Sequence, residues 1–232
     1  MRLLLTHAYF LHEDEKEQNI VKPYAPLGIL YLSSHLRSKG FEVDIYDSTF
    51  GSKNELFRHL EEGVPGALGI YANLMTRGNA VEIARRAQAC GWTVILGGPE
   101  PSSYAREYLE AGAHVVVEGE GEVTMEELLR ALRAGGREAL EKVDGISFLL
   151  ADGSLARTRP RALIPDLDAQ PWPDRESVDI ERYVQVWREH HGMGSVSVIT
   201  ARGCPYHCRW CSHATYGNTH RRRSAPGDVA MF

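Results

Sequence analysis

The stretch that decides the fold is Trp92-Thr-Val-Ile-Leu96-Gly-Gly-Pro-Glu100-Pro-Ser-Ser-Tyr-Ala-Arg-Glu-Tyr-Leu-Glu110-Ala-Gly-Ala-His-Val-Val-Val117-Glu-Gly-Glu-Gly-Glu122. Two short apolar runs, residues 92–96 and 114–117, flank a segment at residues 103–111 that is typical of a helix. Each run is followed by glycines, as strands are where the chain must turn sharply. A strand, a helix and a second strand in this order indicate one unit of a parallel sheet.

The same alternation extends from residue 2 to about residue 134. Apolar runs predict strands at residues 2–6, 41–46, 67–71, 92–96 and 114–117. Amphipathic patterns predict helices at residues 27–37, 54–62, 77–90, 103–111 and 122–133. The predicted fold class is therefore α/β, with a doubly wound, flavodoxin-like parallel sheet of strand order 2-1-3-4-5.

Beyond residue 140 the pattern changes. Residues 143–150 and 155–158 predict a hairpin around the Asp152-Gly153 turn. Residues 160–173 contain four prolines and predict a linker. His190-His191-Gly192 predicts a polar turn, since adjacent histidine side chains diverge and make a poor metal pair. The expected division is a Rossmann-like domain at residues 1–140, a hairpin and linker at residues 141–192, and a third segment at residues 193–232.

Composition limits the classes of function. The chain has 232 residues, 43% hydrophobic and 25% charged, with a formal charge of −5. These values are typical of a globular protein and predict neither a nucleic-acid partner nor a membrane span. The basic run at residues 221–223 could touch phosphate or carboxylate groups, but a solvated face or a set of surface ion pairs explains it better. Because Leu3-Leu4-Leu5 is too short for a signal peptide, we expect a reducing, cytoplasmic environment.

Three cysteines follow the apolar run at residues 196–200. Cys204, Cys208 and Cys211 have the spacing C-x3-C-x2-C, which favours an iron–sulfur cluster. Three thiolates leave one iron of a [4Fe–4S] cluster open to a small molecule. Zinc is the competing metal, with a fourth ligand from His207, His213 or His220, but structural zinc sites usually pair two separated knuckles. Inert thiols are a third alternative.

The segment Ala201-Arg-Gly-Cys204-Pro-Tyr-His-Cys208-Arg-Trp-Cys211-Ser-His resembles the cluster loop of radical S-adenosylmethionine (SAM) enzymes. The resemblance implies that Cys204, Cys208 and Cys211 ligate the cluster, that its open iron binds SAM, and that Trp210 lies against the adenine side. It also implies that residues 193–232 begin a partial (β/α)6 barrel. The run Tyr216-Gly-Asn-Thr-His-Arg-Arg-Arg-Ser224 resembles the subgroup with an N-terminal cobalamin (B12)-binding domain, the class B methyltransferase-like family.

The turns after the third, fourth and fifth predicted strands resemble the corrin and nucleotide-tail pocket of that cobalamin domain. The resemblance implies cobalamin contacts at Asn73, Leu74, Gly97, Gly98, Pro99, Glu118, Gly119 and Glu120. The Asp-x-His-x-x-Gly signature of histidine-ligated cobalamin is missing at residues 6–12, which predicts base-off binding with the loop at residues 72–76 under the lower face. His7 at the end of the first strand is expected to be hydrogen-bonded structure, with cobalt coordination as the alternative.

The resemblance implies methyl transfer to an unactivated carbon through a 5'-deoxyadenosyl radical and methylcobalamin. The expected partners are a small-molecule or peptide substrate and a reductant such as flavodoxin or ferredoxin. An anaerobic tetrapyrrole-type cyclase, a non-catalytic cobalamin-binding module and a zinc-stabilised nucleotide-binding protein stay open as alternatives. Since 21 residues follow Cys211 and a partial barrel needs far more, we expect a truncated chain or an N-terminal fragment of the enzyme.

Overall fold

The structure is a computed structural model that describes residues 1–135, 137–206, 208–209 and 219–229. Its main feature is a seven-stranded sheet of order β2-β1-β3-β4-β5-β6-β7, in which β1 to β5 are parallel and β6 and β7 are antiparallel. The predicted order 2-1-3-4-5 is confirmed. The seven strands are β1 (Leu3–His7), β2 (Val43–Tyr46), β3 (Ala67–Tyr71), β4 (Thr93–Gly97), β5 (Val115–Val117), β6 (Ile146–Leu149) and β7 (Leu155–Arg157).

Ten helices are assigned in the described part of the chain, and three short 3-10 helices accompany them. The α-helices are α1 (Glu15–Ile20), α2 (Leu27–Ser38), α3 (Lys53–Glu62), α4 (Arg77–Ala89), α5 (Pro99–Ser103), α6 (Ala105–Glu110), α7 (Gly121–Ala134), α8 (Arg137–Glu141), α9 (Ile180–His191) and α10 (Ala225–Val229). The 3-10 helices are Leu11–Glu13, Leu74–Thr76 and Arg175–Ser177. Among these described helices, none is long and apolar enough to cross a bilayer.

Helices cover both faces of the parallel strands, which explains why those strands are apolar throughout rather than alternating. Residues Leu3, Leu4 and Leu5 of β1 are all buried. One core packs α3, α4 and α6 against one face, and a second core packs α2 and α7 against the other. Local signals fix the helix starts, as where Ser52 and Glu55 form a capping box at the start of α3.

The predicted hairpin at residues 143–158 is present, and it lies beside β5. Val116 pairs with Ser147 and Val117 with Ile146, so β6 and β7 extend the same sheet, each pairing antiparallel with the strand before it. A short helix that the sequence does not predict, α5, precedes the helix predicted at residues 103–111, which corresponds to α6, and the two meet at Tyr104. The first of them begins at Pro99 because proline is favoured at the first helical position, where its missing N–H costs nothing.

Helix α9 is a correction to the polar turn predicted at His190-His191-Gly192. Asp179 caps its first turn, and Gly192 ends it with a positive φ of 75°. The indole of Trp187 donates to the carbonyl of Pro23 at 2.7 Å, and the hydroxyl of Tyr183 donates to Asp47 at 2.8 Å. The two histidines therefore end a helix that packs against the carboxyl ends of β1 and β2.

The segment around the cysteines differs from the predicted barrel strand. The apolar run at residues 196–200 contains no strand, and β8 (Ala201–Gly203) pairs antiparallel with β9 (His220–Arg222). The start of a (β/α)6 barrel at residues 193–232 stays a prediction, as does the division of the chain at residues 140 and 192.

Candidate functional site

A cavity of about 610 Å³ opens at the carboxyl edge of the parallel sheet. This edge is where doubly wound sheets bind ligands, since the loops there diverge to opposite faces. Its floor is apolar and its rim is formed by glycine turns and by β8. The residues that line it are Leu5, Gly28, Ile29, Tyr31, Leu32, Gly69, Ile70, Tyr71, Ile95, Gly97, Gly98, Pro99, Val117, Gly119, Glu120, Gly121, Glu122, Met125, Ile199, Ala201, Arg202, Gly203 and Cys204.

The turn after β4 brings backbone, rather than side chains, to the cavity. Gly98 has a φ of +112°, and a Cβ placed on it would collide with the carbonyl of Ala72. The amide of Ala72 in turn donates to the carbonyl of Gly97 at 2.9 Å. Glycine is therefore required at position 98 both by the backbone conformation and by the close approach of the neighbouring turn.

An ion pair also joins the helices that follow the turns after β3 and β4. The Arg77 guanidinium, at the start of α4, pairs with the buried carboxylate of Glu100 in α5. It also lies over the ring of Tyr104, with 4.6 Å between its central carbon and the ring centroid. The glycine turn is thereby held between two helices of the parallel domain.

Five of the eight residues predicted to contact cobalamin line the cavity: Gly97, Gly98, Pro99, Gly119 and Glu120. Asn73, Leu74 and Glu118 lie outside its wall. The Asn73 side chain caps the 3-10 helix Leu74–Thr76 by accepting from Met75 and Thr76, and the Glu118 carboxylate accepts from Ser147 and pairs with Arg157. Cobalamin contact by these eight residues stays a prediction.

Glu120 is the centre of a buried ion cluster. Its side chain is 1% exposed, and its two carboxylate oxygens accept from Arg202, Arg221 and the amide of Ile164 at 2.6–3.1 Å. Arg202 also pairs with the buried carboxylate of Glu122 in the first turn of α7. Burial alone would raise the pKa of Glu120, but the hydrogen bonds from Arg221, Ile164 and Arg202 outweigh it and lower that pKa below its ordinary value.

The first cysteine of the predicted cluster loop forms part of the cavity wall. Cys204 directly follows β8, and both Cys204 and Cys208 are partly buried free thiols. Cys211 and Trp210 lie outside the described residues, as do His207 and His213, whereas His220 is exposed in β9. Within the described ranges, no group of three His, Cys, Asp or Glu side chains is close enough to hold a metal.

His7, at the end of β1, has hydrogen-bond partners on both ring nitrogens. Its Nε2 lies 2.9 Å from Asp47 Oδ1, and its Nδ1 lies 3.4 Å from the amide of Tyr9. The hydroxyl of Tyr183 in α9 reaches the same Asp47 carboxylate. Burial alone would raise the pKa of Asp47, but the hydrogen bonds from His7 and Tyr183 lower it by more than burial raises it. The pKa of Asp47 therefore lies below its ordinary value. His7 is thus part of a hydrogen-bonded structure that anchors α9.

Comparison with known proteins agrees with this geometry. The B12 binding domain family model matches residues 18–129, which include the turns after β3, β4 and β5. The protein named uncharacterized methyltransferase PH0819, from Pyrococcus horikoshii, is 32% identical over 198 residues, covering 81% of this chain and 40% of its own length. Residues 18–129 of the chain form a B12-binding domain. The cobalamin-binding domain predicted from the motifs is confirmed.

Two further proteins resemble the chain over most of its length. The anaerobic magnesium-protoporphyrin IX monomethyl ester cyclase of Synechocystis is 28% identical over 208 residues, covering 85% of this chain and 40% of the cyclase. The structure of the cobalamin-dependent SAM radical enzyme OxsB with aqua-cobalamin bound superimposes with a TM-score of 0.82 at 22% identity, over 99% of this chain and 31% of OxsB. The OxsB match supports the fold. The chain spans about 40% of the length of the curated relatives compared here.

Sequence reasoning missed the arginines of the site. The cysteine motif predicts no role for Arg202, and the basic run at residues 221–223 predicts a solvated face or surface ion pairs. In the structure Arg221 and Arg223 face inward and Arg222 is exposed. Side chains of a strand alternate between the two faces, and this alternation places Arg221 and Arg223 on the face opposite Arg222. Three identical residues in a row show no such alternation in the sequence.

Proposed function

We propose that this chain is part of a cobalamin-dependent radical SAM enzyme that transfers a methyl group to an unactivated carbon. One observation carries the proposal: the glycine turns of the B12-binding domain and Cys204 of the cysteine loop line the same cavity. A corrin in that cavity would lie directly beside the loop. This is the arrangement needed if two cofactors act in turn on one substrate.

The cavity fits a large, flat, mostly apolar ring with polar edges. Leu5, Ile95, Val117 and Met125 give it an apolar floor, and Gly97, Gly98 and Gly119 let the ligand approach the backbone. Leu74 and Met75, at the same sheet edge, are 68% and 77% exposed, which suits apolar residues that a ligand covers. When bound there, cobalamin supplies a carrier for the methyl group.

Cys204, Cys208 and Cys211 would hold the [4Fe–4S] cluster, which would supply one electron for the cleavage of SAM to methionine and a 5'-deoxyadenosyl radical. The free thiols of Cys204 and Cys208 fit this role and fit a reducing, cytoplasmic environment. Trp210 would pack against the adenine of SAM. Flavodoxin or ferredoxin is the expected source of electrons, and a small molecule or a peptide is the expected substrate.

Two alternatives rest on specific observations. The likeness to the Synechocystis cyclase favours a radical reaction without methyl transfer. A non-catalytic cobalamin-binding module is favoured by the family match, which covers the B12 domain and ends before the cysteines.

Product analysis distinguishes these functions. The complete gene product is reconstituted anaerobically with iron, sulfide and hydroxocobalamin, then given SAM and a reductant. Methyl transfer leaves S-adenosylhomocysteine together with 5'-deoxyadenosine, because one SAM donates its methyl group and another is cleaved. A cyclase yields 5'-deoxyadenosine without S-adenosylhomocysteine, and a binding module yields neither.

Replacing Cys204, Cys208 and Cys211 by alanine is expected to abolish iron uptake and both products. Cys90→Ala is the matched control, because this thiol lies at the end of α4, away from the cavity wall. Unchanged iron content in the triple variant would contradict the cluster assignment.

A further inference from the structure

The two strands that flank the cysteine loop need support from the rest of the fold. Strands β8 and β9 share three residue pairs, Ala201 with Arg222, Arg202 with Arg221, and Gly203 with His220. An isolated two-stranded hairpin of this size is marginal in water. The points at which the chain enters and leaves the segment between Gly203 and His220 are therefore set by whatever holds these strands.

Glu120 holds both strands at once. Arg202 Nη1 of β8 donates to Glu120 Oε1 at 3.0 Å, and Arg221 Nη1 of β9 donates to Glu120 Oε2 at 2.9 Å. The amide of Ile164 donates to the same Oε2 at 2.6 Å, and Arg221 donates to the carbonyl of Ile164. One carboxylate thus joins the B12-binding domain, the proline-rich linker and the two strands of the hairpin.

Among the described residues, the cluster pairs two buried carboxylates with two guanidinium groups. Two carboxylates, Glu120 and Glu122, face two guanidinium groups, Arg202 and Arg221, and the four side chains are between 1% and 14% exposed. Removing one member of such a buried set leaves its partners uncompensated, which costs much more than the net stabilisation of the set. The N-terminal end of α7 also favours the two carboxylates, because helix dipoles attract negative charge there.

A third arginine continues the attachment beyond β9. Arg223 is buried, with its guanidinium carbon 4.5 Å from the Trp172 ring centroid and 5.7 Å from that of Tyr31. Its side chain donates to the carbonyl of Gln170, and its amide donates to the carbonyl of Thr200 at 2.9 Å. Arg221 and Arg223 face the B12-binding domain and Arg222 faces solvent. The basic run therefore attaches β9 to that domain.

We infer that Glu120 is a positioning residue for the cysteine loop and that cobalamin binding does not depend on its charge. This rests on the proposed function, because it assigns the loop to a metal cluster. Both oxygens of the carboxylate already accept two donors each, from the hairpin and the linker. The part of Glu120 that lines the cavity can therefore offer a ligand van der Waals contacts. Its carboxylate charge is paired with the arginines of β8 and β9.

The test compares Glu120→Gln and Arg221→Gln with the control Arg222→Gln, on the next residue and the opposite face of β9. Three quantities are measured: hydrogen exchange of residues 200–203 and 219–223, iron retained after anaerobic reconstitution, and the dissociation constant for hydroxocobalamin.

Glu120→Gln and Arg221→Gln are expected to speed exchange at least about tenfold, the equivalent of one lost charge-assisted hydrogen bond. They are also expected to lower retained iron severalfold and leave the cobalamin constant within about threefold. Arg222→Gln is expected to match the unaltered chain.

The double variant Glu120→Gln with Arg221→Gln separates positioning from general damage. Since it removes one charge of each sign, its exchange is expected to be no faster than that of Glu120→Gln alone. A tenfold loss of cobalamin affinity in Glu120→Gln, with normal exchange and normal iron, would overturn the inference and make Glu120 a cofactor contact. Equal exchange in Arg221→Gln and Arg222→Gln would also overturn it, and this comparison stands if the Glu120 variant fails to fold.

Failure of the proposed function gives a different result. An unaltered chain that takes up cobalamin but no iron would contradict the cluster, while the exchange comparison between the Arg221 and Arg222 variants would still decide how the hairpin is held.

Discussion

Arg202 and Glu120 are 82 positions apart in the chain, and they form an ion pair in which the side chains are 8% and 1% exposed. Glu120 immediately precedes α7 of the B12-binding domain, and Arg202 is two residues before Cys204. The pair therefore connects the turn that borders the cavity to the loop that carries the cysteines. Through it, the chain fixes the position of β8 relative to the glycine turn that follows β5.

The charge of Glu120 gives the stability of the fold a defined dependence on pH. The pKa of Glu120 is lowered by folding from a reference value of 4.5, so its contribution is complete above about pH 4.5 and is lost as pH falls toward the folded value. Glu120→Gln is expected to cost about 1.5–3 kcal/mol at pH 7, the range for hydrogen bonds to a charged group. This cost is expected to shrink below pH 4.5.

Urea unfolding followed by tryptophan fluorescence measures this effect, because Trp172 packs against Arg223 beside the ion cluster. Glu62→Gln, on the exposed face of α3, is the control and is expected to change the free energy of unfolding by less than about 0.5 kcal/mol. A cost for Glu120→Gln that stays constant from pH 7 to pH 3 would contradict the account.

Gly98→Ala is expected to damage the cavity. The φ of +112° is unfavourable for alanine, and the added methyl would meet the carbonyl of Ala72. We expect a loss of about 1–3 kcal/mol in the free energy of unfolding, together with weaker cobalamin binding. Gly78→Ala, in an open position near the start of α4, is expected to stabilise by about 0.5–1 kcal/mol and to leave binding unchanged. Equal cobalamin affinity in the two variants would argue against the cavity as the binding site.

Tyr183→Phe is expected to loosen α9. The hydroxyl lies 2.8 Å from Asp47 Oδ2 and 2.7 Å from Thr49 Oγ1, and its loss leaves a buried carboxylate with one donor fewer. The expected loss is about 1.5–3 kcal/mol in the free energy of unfolding, with faster hydrogen exchange in residues 180–191. Tyr24→Phe removes an exposed hydroxyl and is expected to change stability by less than about 0.5 kcal/mol. Similar losses in both variants would contradict the anchoring role of Tyr183.

Bound cobalamin is expected to be base-off and without a histidine ligand. Both ring nitrogens of His7 have partners in the fold, so the ring is held by Asp47 and Tyr9. The electron paramagnetic resonance spectrum of cob(II)alamin bound to the chain is expected to lack splitting from an axial nitrogen. A nitrogen splitting that disappears in His7→Gln would show that His7 coordinates cobalt.

The parallel sheet could be predicted because each strand is a short apolar run buried on both faces. The prediction for residues 67–71 matches β3 at both ends, and the predictions for β1, β2, β4 and β5 differ from the structure by one or two residues at one or both ends. Helix α9 was missed although its signals were present, with Asp179 before it, Gly192 after it and Tyr183 and Trp187 four residues apart. Its sequence is mostly polar, so its apolar stripe is narrow and gives only a weak helical pattern.

The ion cluster could not be predicted, because it depends on tertiary contacts between residues as far as 101 positions apart. A Glu-Gly-Glu turn and an arginine run each look like exposed polar sequence when considered alone. The pairing of the β6–β7 hairpin with β5 also depends on tertiary packing. It requires that β5 be an edge strand of the parallel sheet, which the sequences of β5 and β6 alone do not show.

The measurement that tests the central claim most directly is the cobalt, iron and zinc content of the chain after anaerobic reconstitution with iron, sulfide and hydroxocobalamin. About one cobalt and about four irons per chain are expected, with cobalt lost in Gly98→Ala and iron lost when Cys204, Cys208 and Cys211 are replaced. Stoichiometric zinc without iron or cobalt would contradict this expectation, because the cysteine loop would then be a structural zinc site beside a cavity that does not bind a corrin.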